Sequence, residues 1–346
     1  MDSRKRNILV IVILFSSMMT STLSFYIYSI IKSPNILVDE PDRYIYIQEN
    51  TSFNALRDTL VKQGVVNDLM SFAFLSKFMK YQDNVKPGRY LMKKNMSNLN
   101  AIRLLRSGAQ EPINVRFSNA RHITDIAADL TNGIEADSVT MLNLLSNDSL
   151  PSNYGFEKKT FISMFLPNTY QFFWLTDEEQ VLDRMKREYD AFWNEERLQK
   201  AETIGLRKNE VSTLASIVDA ETAMSDEKPK VAGVYINRLR KRMKLQADPT
   251  LIFGIGDFSI KRVLDKHKEV DSPYNTYKYY GLPPGPIRLP SISGIDAVLN
   301  FKSHDYLYFC AKEDFSGYHN FEKTYTAHLR NAEKYYAALN KKKIYK

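Results

Sequence analysis

Hydrophobic and polar positions along the chain fall into distinct stretches. Residues 8–31 carry no charge, a run of 24, against the roughly 20 that a membrane-spanning helix needs. Residues 33–41, with Pro34 and Pro41 near their ends, read as a short tether. From residue 44 a shorter pattern occurs three times: an apolar strand, a Ser or Thr, an amphipathic run, then glycine. The copies are 44–47, 52–61 and Gly64; 90–92, 97–105 and Gly108; 115–117, 124–130 and Gly133. Ser and Thr cap a helix start by accepting orphan N–H bonds, and glycine ends one in the left-handed conformation. In the first copy Phe53, Leu56, Leu60 and Val61 recur at helical spacing. The echo predicts compact α+β packing over 43–110; chance alternation of strand and helix explains it as well as a true repeat does.

Further on, residues 120–205 predict mostly helix, with 178–193 strongly amphipathic. Residues 208–242 predict two helices broken near Ser225. Residues 247–310, rich in Gly, Pro and Tyr, predict loops and short strands, and a last helix is expected over about 324–339. The fold class is therefore α+β, with one N-terminal transmembrane helix, a small α+β subdomain and a larger domain of helices and short strands.

Charge adds an orientation. Arg4, Lys5 and Arg6 precede the apolar run and only Lys32 closes it closely, so the positive-inside rule places the N-terminus in the cytoplasm and the rest outside. A cleaved signal peptide is the competing reading, with a weak small-residue site at Thr22-Leu23-Ser24. The net charge of +8 is partly terminal, with Lys341, Lys342 and Lys343 near the end. No nucleic-acid recognition motif accompanies it. The single cysteine, Cys310, excludes a disulfide framework and a cysteine-based zinc site; its apolar run, 306–311, reads as a strand with a small buried thiol. The five histidines are scattered, with no pair at metal-ligand helical spacing. No metal or cofactor is expected.

The candidate for chemistry lies in residues 207–222. Leu214, Ile217, Val218 and Glu221 share one helical face, so Glu221 ends an apolar stripe. A carboxyl against apolar surface has its charged form disfavoured, and can donate a proton near neutral pH. Asp219 points to the opposite side and reads as solvated. The plainer reading of Glu221 is a boundary residue paired with a Lys or Arg. Downstream, 245–250, 272–277 and 281–287 are turns rich in Pro, Tyr and amides. Such loops suit a sugar, whose faces stack on rings and whose hydroxyls bond amides; they are equally ordinary proline-rich connections.

At these residues the chain resembles the endolytic murein transglycosylases, the MltG or YceG-like family. The resemblance runs through Leu166-Pro167-Asn168-Thr169-Tyr170, Ser216-Ile217-Val218-Asp219-Ala220-Glu221-Thr222-Ala223, Val231 to Leu239, Leu245-Gln246-Ala247-Asp248-Pro249-Thr250, Tyr274-Asn275-Thr276-Tyr277 and Gly281-Leu282-Pro283-Pro284-Gly285. It covers nearly the whole chain. It implies a cytoplasmic tail over 1–7, a transmembrane helix over 8–31, a linker over 32–42, a LysM-like subdomain over 43–110 and a catalytic domain over 111–346. The implied activity is non-hydrolytic cleavage between N-acetylmuramic acid and N-acetylglucosamine in nascent peptidoglycan strands, leaving 1,6-anhydro ends and ending elongation. Peptidoglycan strands and the inner membrane are the implied partners, together with proteins of cell-wall synthesis and elongation.

The family's catalytic Glu falls on Glu221. Asn237, Gln246, Asp248, Thr250, Tyr274, Asn275, Thr276 and Tyr277 fall on motif positions expected to line the substrate cleft. This chain has Asp219 where many members have Glu, Asn168 for the usual Asp, and Glu227-Lys228 for the usual Glu-Arg. These departures favour Glu221 over Asp219, remove an acid role from position 168, and leave any arginine-specific role at 228 open. One acid serves a lyase, because an internal hydroxyl replaces water; a hydrolase on the same scaffold wants two acids roughly 5–10 Å apart, and Asp248 is the candidate second. A non-catalytic glycan-binding envelope protein is the third reading.

Overall fold

The structure, a computed structural model, describes residues 3–260 and 262–341. Lys342 and Lys343 of the basic C-terminal cluster lie outside the described residues, as do Met1 and Asp2. The chain divides into two compact units. One comprises the chain through Asn114 with Gly133–Glu135 and Gln171–Thr176; the other comprises Val115–Asn132, Ala136–Tyr170 and the chain from Asp177 onward.

In the first unit, α1 (Ser3–Lys32) is one continuous 30-residue helix, long and apolar enough to cross a membrane. Its side chains from Ile8 to Tyr28 face outward, and only its last turn packs: Ile30 and Ile31 lie against the core of this unit. The stretch read as a tether instead holds strand β1 (Pro34–Ile36), with Asn35, Ile36 and Leu37 buried. β2 (Arg43–Ile47) follows, then α2 (Phe53–Lys62), whose cap Ser52 accepts from the Ala55 N–H. α3 (Leu69–Phe78) starts at Asp68, whose carboxylate accepts from the Met70 and Ser71 N–H groups. β3 (Gly88–Met92) pairs antiparallel with β2, Arg43 opposite Met92 and Ile47 opposite Gly88. β4 (Met96–Ser97) pairs antiparallel with β1. Next, α4 (Asn98–Ser107) is capped by Ser97 and ended by Gly108 at φ 75°, a conformation glycine takes without a Cβ clash. Strand alternation sends Ile45, Ile47, Tyr90 and Met92 inward, where they meet Leu56, Phe72 and Ile102. The first two strand–helix echoes thus form as expected. α3 was unread, because large apolar side chains lie on both its buried and its exposed faces, so its pattern has little contrast.

β5 (Ile113–Phe117) carries the chain from the first unit into the second, and a 3₁₀ turn (Ile123–Ile126) running into α5 (Ala127–Leu130) follows, so the third echo forms only one short helix. α6 (Ser138–Ser146), α7 (Leu150–Asn153) and a second 3₁₀ turn (Phe161–Met164) follow. β6 (Asn168–Phe172) pairs with β5 and interrupts the expected helical region. α8 (Glu178–Phe192) and α9 (Glu195–Ile204) lead to the two expected helices, α10 (Lys208–Glu221) and α11 (Lys228–Arg240).

Beyond them the loop expectation is corrected by three helices: α12 (Asp248–Ile255), α13 (Asp265–Lys268) and α14 (Ile292–Leu299). Their prolines and glycines misled the reading. Pro249 sits in the first turn of α12, where its missing N–H costs nothing, and Ser291 caps α14 through its hydroxyl. A hairpin of β7 (Tyr308–Ala311) and β8 (His319–Glu322) precedes α15 (Tyr325–Lys341). Cys310 lies on β7 as expected but is only half-buried.

α10 is the central helix of this unit. It packs against α9, α11, α12 and α14, and every residue from Val211 to Val218 is buried. That corrects the reading of Asp219 as solvated. Its side chain is only 6% exposed and pairs with Lys228 Nζ at 2.7 Å. Periodicity identifies a helix face but not how many faces are covered.

Candidate active site

The C-terminal turn of α10 delivers Glu221 to the surface of the second unit, half-buried. The turn that follows is tightly held. The Thr222 hydroxyl donates to Glu227 Oε2 at 3.2 Å and accepts from the Met224 N–H at 3.1 Å. The buried Glu227 carboxylate also accepts from the His319 N–H at 2.9 Å and lies 2.7 Å from His319 Nδ1. α11 then returns past Glu221 and sets the Tyr235 hydroxyl 2.5 Å from Glu221 Oε1, donating to it.

Arg238, one turn further along α11, is 7% exposed. Its guanidinium donates to the carbonyls of Leu307 (2.6 Å) and Leu245 (2.8 Å) and to Gln246 Oε1 (3.3 Å). It therefore fastens the segment leading to Asp248, an exposed acid that accepts the Tyr277 hydroxyl.

Electrostatics single out one member of this group. Burial pushes the Glu221 carboxyl up to about 7; the Tyr235 hydrogen bond and the Arg238 charge pull down, and the Asp248 charge pushes up. Burial and the Glu221 charge raise the Tyr235 phenol well above its ordinary value, so it stays a donor. Burial, then Asp248 and Glu221, raise Tyr277 likewise. The Glu221 carboxyl is thus placed to gain or lose a proton near neutral pH, as a general acid or base requires.

Beside it runs a groove of about 530 Å³. Ala220 and Pro249, the chain neighbours of Glu221 and Asp248, line it, with Phe253 and Phe258 as apolar walls. Arg121 and Arg288 add positive charge. The Arg121 guanidinium lies 4.0 Å above the Phe258 ring, and Arg288 donates to Asn119 Oδ1 at 2.5 Å. Asp125 also lines the groove, but its carboxylate accepts the Arg121 and His122 N–H groups.

The other motif residues split by what their polar groups do. Tyr274 packs against Phe253 with ring centroids 4.8 Å apart, so it buttresses a groove wall. Gln246 is exposed, in the left-handed region at φ 50°, and its N–H donates to the Thr276 carbonyl. Thr250 and Thr276 are buried and share a 2.8 Å hydroxyl bond, and Thr276 also accepts from the Ala247 N–H. Asn275 is buried and donates to the Lys268 and Val270 carbonyls. Asn237 donates to the His304 and Tyr306 carbonyls. The amides and hydroxyls of Asn237, Thr250, Asn275 and Thr276 are thus spent on holding loops. The segment 281–288 runs along α10. Gly281–Pro284 lines a separate cavity of about 550 Å³ with Lys208 and Asn209 at the helix start, while Ile287 and Arg288 reach the groove at its end.

Sequence reasoning missed Tyr235, Arg238, Arg121 and Arg288. Tyr235 lies inside the Val231 to Leu239 motif, where its ring reads as one more apolar side chain, although a tyrosine and an arginine one turn apart on a helix signal buried polar contacts. Among the described residues, no group of three or more His, Cys, Asp or Glu gathers as a metal site.

Comparison with known proteins places these features in context. The YceG-like family matches over residues 45–334. An endolytic murein transglycosylase of Bacillus subtilis is 31% identical over 322 residues, covering 86% of each chain. Another, from Streptococcus pneumoniae, is 28% identical over 295 residues; the match covers 77% of this chain and 53% of that protein, so the chain spans about half its length. The crystal structure of a YceG-like protein from Listeria monocytogenes is similar at a TM-score of 0.54 and 25% identity, covering 84% of this chain and 98% of that one.

Proposed function

Since the chain belongs to the YceG-like family, we propose that it is a lytic murein transglycosylase that cuts peptidoglycan strands internally, with Glu221 as its acid and then its base. The observation that carries this reading is the state of Glu221: a half-buried carboxyl, held near 7 and hydrogen-bonded by Tyr235, whose chain neighbour Ala220 lines a groove of about 530 Å³. The Bacillus subtilis and Streptococcus pneumoniae relatives carry the same activity in their names.

The bond cut is that between N-acetylmuramic acid and N-acetylglucosamine. Glu221 gives its proton to the glycosidic oxygen as the bond to the anomeric carbon breaks. The muramic acid C6 hydroxyl then bonds to that carbon and returns its proton to the Glu221 carboxylate. The enzyme is regenerated, and the strand ends in a 1,6-anhydro ring. The Tyr235 hydroxyl stabilises the carboxylate in between. Phe253, backed by Tyr274, and Phe258 supply apolar surface for sugar faces, and Gln246, Asp248 and Tyr277 line the approach. Arg121 and Arg288 suit the carboxylates of attached peptides. Asn237, Thr250, Asn275 and Thr276 shape the cleft from behind. The substrate is the nascent strand, and cutting it ends elongation alongside the synthesis proteins.

The apolar helix supports a single-pass anchor in the inner membrane, N-terminus in the cytoplasm, working unit outside. On this reading residues 1–7 are a cytoplasmic tail, 8–31 the apolar segment that holds the span, 43–110 a LysM-like subdomain and 111–346 the catalytic domain. Mass spectrometry of peptidoglycan digested by the full-length protein tests the chemistry. Anhydro ends that vanish with Glu221→Gln are expected. Reducing ends instead would make Asp248 the second acid of a hydrolase, and binding without cleavage would make the chain a glycan-binding protein.

A further inference from the structure

The first unit carries an apolar surface that the catalytic reading does not use. On α3, Met70, Phe74 and Phe78 recur every fourth residue, so they form one stripe. They are 83%, 63% and 78% exposed. The opposite face of the helix, Phe72, Leu75 and Ser76, is buried in the core. Three large side chains in line on one short helix are more than scattered surface hydrophobes.

Their place in the unit indicates what covers them. α1 packs against both α3 and α4. The buried Asn98 amide donates to the Ile30 carbonyl at 2.9 Å and to the Ser71 hydroxyl at 3.0 Å. One amide thus ties the last turn of α1 to the first turn of α3, next to Met70. Counting roughly 20 residues of hydrocarbon from Ile8 ends the span near Ile27. Tyr26 and Tyr28 then fall at the interface, where aromatic rings concentrate, and Ile30 lies within about one helical turn, roughly 5 Å, beyond it. α3 starts at that level.

Charge agrees with that position. Residues 69–82 contain Lys77 and Lys80 and no acid, and both lysines are exposed. Arg106 is also exposed, and its guanidinium donates to the Met79 carbonyl at the end of α3. An apolar stripe with cations at one end is the pattern of a helix lying in a membrane surface.

We propose that the Met70–Phe74–Phe78 face of α3 is embedded in the outer-leaflet interface beside α1. The proposal rests on the membrane reading of α1. It gives the unit two lipid contacts instead of one, so that the unit lies on the bilayer and does not swing from it.

Site-directed spin labelling of the full-length protein tests this in phosphatidylethanolamine–phosphatidylglycerol vesicles. With Cys310→Ser as background, nitroxides are placed one at a time at Phe74→Cys, Phe78→Cys, Phe15→Cys in α1, and Val139→Cys on α6 as the water reference. The expected result is preferential collision with oxygen at 74 and 78, at a depth of about 5–10 Å below the headgroups, while 139 collides with aqueous nickel. A label at Met70→Cys should shift to the aqueous value when Phe74→Glu and Phe78→Glu are introduced together. Aqueous behaviour at 74 and 78 with position 15 deep in the bilayer overturns the proposal alone. Dipolar broadening between labels at 74 overturns it in favour of a second copy of the chain. Aqueous behaviour at 15 overturns the membrane reading of α1 and this inference with it.

Discussion

Replacing Tyr235 by Phe removes one atom and isolates one interaction. The hydroxyl donates to Glu221 Oε1 at 2.5 Å and bonds far more strongly to the charged carboxylate than to the neutral acid. The ring stays, so the packing of this buried side chain is kept. A hydrogen bond to a charged group contributes about 1.5–3 kcal/mol, and 1.36 kcal/mol corresponds to roughly one pKa unit. Without the bond the Glu221 carboxyl, now near 7, should titrate about one to two units higher. A general acid must be protonated in the free enzyme, so kcat/KM falls as pH rises through that value. In Tyr235→Phe the falling limb therefore moves to higher pH. The plateau drops as well, because the carboxylate formed after proton donation has lost its donor. The assay is the rate of anhydro-end release from purified strands between pH 5 and 10, for both proteins. A falling limb that stays near the wild-type position, or moves to lower pH, refutes the role assigned to Tyr235. The other charges near Glu221, Asp248 and Arg238, are the same in both proteins and cancel in the comparison.

Other outcomes follow from the same contacts. Because the folded Glu221 carboxyl sits near 7 and its ordinary value is 4.5, the folded state keeps a proton that the unfolded chain loses, and stability declines as pH rises between these values. Glu221→Gln removes that decline, so thermal melts should show the variant gaining on the wild type by on the order of 1–2 kcal/mol at pH 8, after discount for partial exposure, and little at pH 4. Lys228→Met strands the Asp219 carboxylate inside the protein, and denaturant unfolding should show a loss of about 3–5 kcal/mol; pairing it with Asp219→Asn should restore most of that. Asn275→Ala leaves the Lys268 and Val270 carbonyls without their donor, and should cost about 1–3 kcal/mol in the same unfolding experiment.

What was legible in the sequence follows from what a linear pattern encodes. That Glu221 sits half-buried was legible because it ends an apolar stripe within one segment; the stripe fits a boundary residue equally, and its reading as the acid came from the family resemblance. Tyr235 was not, because its ring belongs to the apolar pattern and only the fold shows where its hydroxyl goes. α10 and α11 were plain, since each has a helical period and a break between them. α12 and α14 were hidden because proline and serine at a helix start look the same as proline and serine in a loop until the helix is seen to continue. α3 was hidden for the opposite reason: with both faces apolar, it offered no contrast. The cleft residues from the motifs divide the same way. Their identity pointed to hydrogen bonding, but whether Asn275 bonds a sugar or the backbone depends on which carbonyls lie within reach.

The two acids near the end of α10 show how one helix yields two electrostatic states. Both are partly removed from water, but they meet different partners. Asp219 meets a cation, Lys228 Nζ at 2.7 Å, and also accepts the Ser291 N–H and hydroxyl. Its surroundings even exclude a side chain at position 294: a Cβ on Gly294 would lie 2.6 Å from the carboxylate oxygens. Glu221 meets a neutral hydroxyl. A phenol stabilises a carboxylate but does not cancel its charge, so burial still prevails and the group titrates near 7. Had the partners been exchanged, the cation would have held position 221 ionised and left it no proton to give. Lys228 stands nine residues beyond Asp219 and Tyr235 fourteen beyond Glu221. The single helix α11 therefore allots a cation to one acid and a phenol to the other, which fits the first to a fastening and the second to the proton donation proposed for it.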